Sequence, residues 1–278
     1  VLEGGTSPVS DAVRDRRGAP ARVGGRPVSG PVLFARYAYP PNELGFCGPD
    51  APHHLLELVS GPADDGGLRE LARGFAGAWP YLELIAAANG IGDPLDVRVV
   101  EAYWIGNVLL DRVPVSMMGG SLEDRFRARA GRSWSQFTEA IPGAQPHHSF
   151  HVFGVYPWLG LLRSGRVDEP LRVLDRCRVR WGRVVDVVGD RAVVRSRPLE
   201  WDGRVLREGP PDLDQVVVAM DGLGLAGPLR PGDWCSLHWD WVCERLTPRR
   251  LAALRYRTGR QLAAVNALAV PPPVRVLG

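Results

Sequence analysis

Apolar and polar positions alternate with two different periods along this chain, and each period predicts its own architecture. Residues 1–28 carry Gly, Pro, Arg, Ser and Asp with no apolar period, which buries too little surface to offset the entropy of ordering, and they read as a flexible arm. Between 30 and 49 an aromatic stretch with Phe34, Tyr37 and Tyr39 predicts a short element that runs through Pro40-Pro41 into a constrained loop carrying Cys47. From 66 to 164 the spacing is helical. Leu68, Leu71, Ala72, Phe75, Ala76 and Trp79 recur at three and four, and Pro80 is placed to bend or end that helix. Pro94 suits the first turn of a second helix with Val97, Val100, Trp104 and Val108 on one face. Ser121 and Asp124 resemble a capping box that opens a third helix through Leu122, Phe126, Ala130, Trp134, Phe137 and Ile141. Phe150 to Leu162, interrupted by Pro157, predicts a buried, broken helix.

Near residue 170 the period falls to two. The run from Val179 to Val188, a turn at Gly189-Asp190 and the run from Arg191 to Arg195 predict a hairpin. Asp202-Gly203 marks a further turn, Asp214 to Met220 a third strand, and Pro231-Gly232-Asp233 leads into one or two more between Trp234 and Leu246. Short strands at this spacing imply a small barrel. Thr247-Pro248 then supplies an N-cap and a first-turn proline for a closing helix on Leu251, Leu254, Thr258, Leu262 and Val265. The expected class is α+β, with the arm at 1–28, a helical domain at 29–168, a barrel plus helix at 169–269 and a tail at 270–278. A chain of 278 residues is long enough for two such domains.

Composition narrows the function classes. Hydrophobic residues make up 45% and charged ones 23%, which argues for a folded, water-facing protein and against disorder. No apolar run approaches the ~20 residues that cross a bilayer, and no leader pattern opens the chain, so the expected location is the cytoplasm. A net charge of +3, spread along the sequence, gives no electrostatic case for nucleic acid. Every basic residue is arginine, a bias expected from a GC-rich genome. Walker loops, nucleophile elbows, dinucleotide fingerprints and CxxC pairs are absent, so an enzyme reading must rest on histidines.

Candidate ligands are few. Cys47, Cys177, Cys235 and Cys243 are too sparse for a disulfide framework and are expected as thiols. His147 and His151 stand four apart beside His148, a spacing that can put two imidazoles on one helix face and bind a metal, although capping or core packing is the plainer expectation. Cys47 with His53 and His54 forms a looser ligand-like group, set against a plain role at a helix start. Cys235 and His238, three apart on a strand, should face opposite sides. Cys243 is expected as a small core residue.

The last third of the chain also carries an ordered series of motifs. Cys177-Arg178-Val179-Arg180-Trp181-Gly182-Arg183-Val184-Val185, then Gly189-Asp190-Arg191-Ala192-Val193-Val194, then Pro231-Gly232-Asp233-Trp234 to Leu237-His238, and finally Glu244-Arg245-Leu246 before the closing helix resemble the HypC/HybG/HupF hydrogenase-assembly chaperones. The resemblance implies an OB-like barrel and an accessory protein, not an enzyme, in [NiFe]-hydrogenase maturation. It implies that Cys177 and His238 hold the Fe(CN)2CO fragment, and that the partners are a HypD-like scaffold and the hydrogenase large-subunit precursor. A thiolate and a neutral imidazole are reasonable donors to iron. The chain departs from the family pattern in four places: Cys177 is internal, Trp181 replaces a proline, Leu199 to Pro211 is inserted, and Trp239-Asp240 follows the histidine in place of Ala-Gly. Phe34 to Asn42 and Cys47-Gly48-Pro49 resemble an uncharacterised actinobacterial family found beside uptake-hydrogenase genes. Two other readings remain open, a docking module without metal chemistry and a metal-dependent enzyme built on His147, His148 and His151.

Overall fold

A computed structural model describes residues 22–23, 26–61, 65–130 and 144–267. Most of the predicted arm, the tail from 270, and Trp134, Phe137 and Ile141 of the predicted third helix lie outside the described residues. The aromatic stretch is no short element. It forms α1, Gly30–Glu43, whose first turn is capped by the Ser29 hydroxyl accepting from Val32 N, and whose Phe34, Tyr37 and Tyr39 are fully buried. Pro40 and Pro41 sit in its last turns. Because proline has no N–H, Pro41 leaves the carbonyl four residues earlier, that of Tyr37, without its helical donor.

Around α1 pack α2 (Pro52–Ser60), α3 (Asp65–Arg73), α4 (Trp79–Ala88), α5 (Val97–Trp104) and α6 (Val115–Ala130). Three sequence expectations shift here. Pro80 opens α4 instead of ending α3, since its fixed φ suits a first turn. Val108 leaves the face of α5 for a separate 3₁₀ turn, Val108–Arg112, and is exposed. The third helix starts at Val115, so Ser121 lies inside it and caps nothing. A short helical turn, His148–Phe150, runs on as one π-helical stretch, His151–Val155, and breaks before Pro157 as predicted. Next come α7 (Trp158–Arg163) and α8 (Asp168–Cys177). No helix was expected at α8, yet Pro170, Val173, Leu174 and Cys177 line its buried face at three-and-four spacing, so Cys177 ends a helix just before the first strand.

Five strands follow: β1 (Arg180–Val188), β2 (Arg191–Ser196), β3 (Asp212–Val217), β4 (Trp234–His238) and β5 (Trp241–Arg245). They close in the order β1-β2-β3-β5-β4, with β3 parallel to β5 through Val217 and Trp241 and the other pairs antiparallel. Val184, Val194, Val216, Cys235, Leu237 and Val242 fill the interior. The stretch after β2 folds into its own hairpin, Leu199–Trp201 with Leu206–Glu208, tied by Asn266 to the closing helix α9 (Pro248–Ala267). Thr247 caps α9 as the sequence predicts, its hydroxyl accepting from Arg250 N at 3.3 Å.

Helices and strands share one core. A single buried cluster runs from Tyr37, Tyr103 and Trp104 to Trp181, Trp241, Cys243 and Leu254. Across the same seam the Tyr37 hydroxyl donates to the buried carboxylate of Glu244, which also accepts from Arg250 Nη1 at 2.5 Å, and Arg250 reaches Glu101 at 3.2 Å. Paired in this way, Glu244 is held without an uncompensated buried charge.

Candidate metal centre

At this seam three donors from three elements converge. Cys177 at the end of α8, His238 at the end of β4 and His148 at the start of the turn after residue 144 offer ligand atoms that all lie within 4.8 Å of one another. Among the described residues this is the one such group of three or more histidine, cysteine, aspartate or glutamate donors. All three are buried, His238 completely. An ion at the centre of a triangle of that edge sits at most about 2.8 Å from each donor, against about 2.0–2.3 Å for nitrogen and thiolate bonds. A contraction of about half an ångström closes the set.

Local chemistry presets His238. Its Nδ1 lies 2.6 Å from the Tyr37 carbonyl that Pro41 leaves free, and facing an acceptor it must donate. The lone pair is then on Nε2, which is buried and has no hydrogen-bond partner. A backbone carbonyl fixing the far nitrogen is how histidine ligands are commonly oriented. His148 is less free: Nε2 bonds the Cys177 carbonyl at 2.7 Å and Nδ1 lies 3.4 Å from the Tyr103 hydroxyl. It joins a coordination set only by releasing one of these, whereas His238 Nε2 makes no hydrogen bond of proper geometry and has only the nearby Cys177 carbonyl to turn from.

The strand register explains why His238 is available. Cys235 and Leu237 point into the barrel and Ser236 and His238 out of it toward α1, the alternation the sequence predicts. Cys235 is thereby held away from the cluster, its thiol 3.6 Å from the Gly182 carbonyl, and Cys243 is fully buried in the core as expected.

Burial sets the protonation states. It depresses His148 to about 4, with the Cys177 carbonyl opposing, and holds His238 well below its ordinary value, with His148 adding to the effect, so both imidazoles are neutral at pH 7. It pushes the Cys177 thiol far above its usual range, and nearby Cys47 adds to this. A cation is what would turn that thiol into a thiolate.

Beside the cluster lies a cavity of about 250 Å3 whose wall includes Cys47, His148, His151 and Cys177. Of the looser candidates, Cys47 and His151 therefore join the site's surroundings. His53 and His54 are exposed on α2, away from that wall, and His147 serves as an N-cap, its Nδ1 accepting from Ser149 N at 3.1 Å. The four-apart pair does not act as a unit. Cys47 is held by Asn42, whose side-chain amide donates to the Cys47 and Pro49 carbonyls at 2.8 and 2.7 Å. Burial raises its thiol to about 12. The sequence singles out Trp239 as the departure after His238 but not Tyr37, Tyr103 and Trp104 as neighbours of the site; the density of aromatics at 34–39 and 103–104 was the available signal, and it says core before it says site.

Residues 26–271 match the model of a family described as a family of unknown function (DUF6390). No curated protein and no solved structure matches the chain.

Proposed function

The chain belongs to the DUF6390 family, which brings no function with it, and on the chemistry of its own site we propose that it is an accessory protein of [NiFe]-hydrogenase assembly that holds an Fe(CN)2CO fragment as cargo. The observation that carries this reading is the convergence of Cys177 and His238, the two residues singled out by motif, with His148 as a third donor. The donor set fits iron that already has strong-field ligands: one soft thiolate, neutral imidazoles and an unpartnered Nε2. The barrel supports an OB-type reading, because its order is first, second, third, fifth, fourth with third and fifth parallel. Delivery would go to a HypD-like scaffold or the large-subunit precursor, in the cytoplasm. No described helix is long and apolar enough to cross a membrane.

Protein purified without oxygen from its hydrogenase-producing host should contain iron and show infrared bands of bound cyanide and carbon monoxide. Cys177→Ala and His238→Ala should abolish both, and His148→Ala should weaken iron retention about tenfold, the lower end for an outer partner or a ligand that must first release a bond. Metal without diatomic bands, lost in His148→Ala alone, would instead point to the enzyme reading. Absence of iron in the wild type would sink the carrier.

A further inference from the structure

The insertion at Leu199 to Pro211, which the carrier reading leaves without a role, builds a groove. Its hairpin forms one wall with Leu206 and Glu208, α9 forms the other with Arg255, Gly259 and Leu262, and Trp181 and Arg197 complete the lining. The groove measures about 430 Å3, inside the ~300–1,000 Å3 range of binding clefts. Asn266 of α9 ties the two walls together, accepting from Leu206 N at 3.0 Å and donating to the Leu206 carbonyl at 2.8 Å, so the groove is preformed. Its charges are lopsided. Arg197, Arg207 and Arg255 stand against one carboxylate, Glu208, and Arg178 already holds that one at 3.0 Å. Arg207 is matched by Asp202 at 2.8 Å and Glu200 at 3.5 Å. Arg197 donates to the Gly209 carbonyl and Arg255 lies over the Trp234 ring at 4.7 Å; among the described residues neither pairs with a carboxylate. Gly259 is the second, independent sign. Glycine in mid-helix is destabilising, yet this one sits inside the 20-residue α9, where an added methyl would meet nothing within 4 Å. The described packing has no need of a glycine there, whereas another chain crossing close over the helix does.

We propose that this groove docks an extended acidic segment of a partner protein, with its carboxylates on Arg197 and Arg255 and its backbone passing over Gly259. The planar fork of a guanidinium matches the two oxygens of a carboxylate. Leu206 and Leu262 take the segment's apolar side chains, so the sequence that fits mixes acidic with aliphatic residues. Nucleic acid fits less well. The Trp181 ring, 8% exposed, has Arg178 at 5.9 Å and Arg255 at 5.8 Å and offers no open face on which a base stacks. Free phosphate leaves the two leucines and Gly259 unused. The groove shares no lining residue with the cavity at Cys177, so the docking rests on no metal, and partner recognition is set apart from cargo.

The test uses the full chain at low salt and fluorescence anisotropy of a labelled peptide of alternating leucine and glutamate, with its glutamine counterpart as the neutral probe and inorganic phosphate and an oligothymidylate as competitors. The glutamate peptide should bind about tenfold more tightly than the glutamine one, by the worth of a hydrogen bond to a charged group. Arg197→Gln and Arg255→Gln should each weaken it about fivefold on the same ground. Arg191→Gln, which removes the same charge from an exposed position of β2, should leave it within about twofold. Gly259→Leu places a side chain in the groove and should abolish binding while the melting temperature holds or rises, which separates blocking from unfolding. No binding of the glutamate peptide at up to about 1 mM protein, equal affinity for its glutamine counterpart, or affinity untouched by Gly259→Leu and both arginine substitutions overturns the docking groove. Displacement of the peptide by phosphate or the oligonucleotide at lower concentration than by unlabelled peptide overturns the acidic segment as its occupant.

Discussion

Protonation sets how the three donors respond to pH. His148 and His238 are neutral through the physiological range, so their readiness to coordinate does not change between pH 7 and 9. Cys177 is the opposite, a thiol that burial keeps protonated across that range. Metal binding must therefore release one proton, and affinity should rise about tenfold per pH unit from 7 to 9. A chelator-competition titration with a pH-indicator dye measures both; affinity flat across that interval would exclude Cys177 as a ligand. Cys177 and His238 were legible in the sequence as a pair because ordered motifs surround them. His148 was legible only as a neighbour of His147 and His151, since nothing local to 148 records that α8 ends against it.

The elements show where sequence signals are strong and where they are overruled. Strands were found through their turns, Gly189-Asp190 and Pro231-Gly232-Asp233, because a tight turn permits few residues. The helix start at Trp79 was misplaced because Pro80 opens a helix as readily as it ends one, and α8 was missed because its ten residues adjoin β-branched runs that dominate the periodicity. The prolines of α1 carry a consequence that pattern reading cannot reach. Pro41→Ala would supply an N–H that competes with His238 for the Tyr37 carbonyl, so metal affinity should fall about tenfold while helicity by circular dichroism holds or rises. Gly48, at φ +88 and backed by the Phe75 ring, fixes the loop that carries Cys47. Gly48→Ala should cost about 1–3 kcal/mol in urea unfolding, since the added methyl meets that ring in a conformation L-residues avoid.

On the scale of the whole molecule, the shared core and the Tyr37–Glu244–Arg250 network predict that helices and barrel melt together, as one calorimetric transition. Two separate transitions would contradict that. Acid should weaken the fold early. Unfolded, His147, His148 and His151 take up protons near pH 6.5, whereas in the folded chain they wait until about 3, 4 and 3. Between pH 6.5 and 4 the unfolded state therefore binds more protons, and stability should drop by about 1.4 kcal/mol per unit for each histidine as pH falls. Melting temperature against pH, flat down to 4.5, would disprove this. The change of period near 170 signals that strands follow helices, although α8 carries the helical part on to Cys177, and it gives no sign of the void that residues from both stretches line, because a void has no sequence of its own. Its wall reaches the surface at Phe46, 44% exposed and stacked on Trp239. Exchange between the void and solvent on that side therefore has to part the two rings, which ties it to the motion of the loop that carries Phe46.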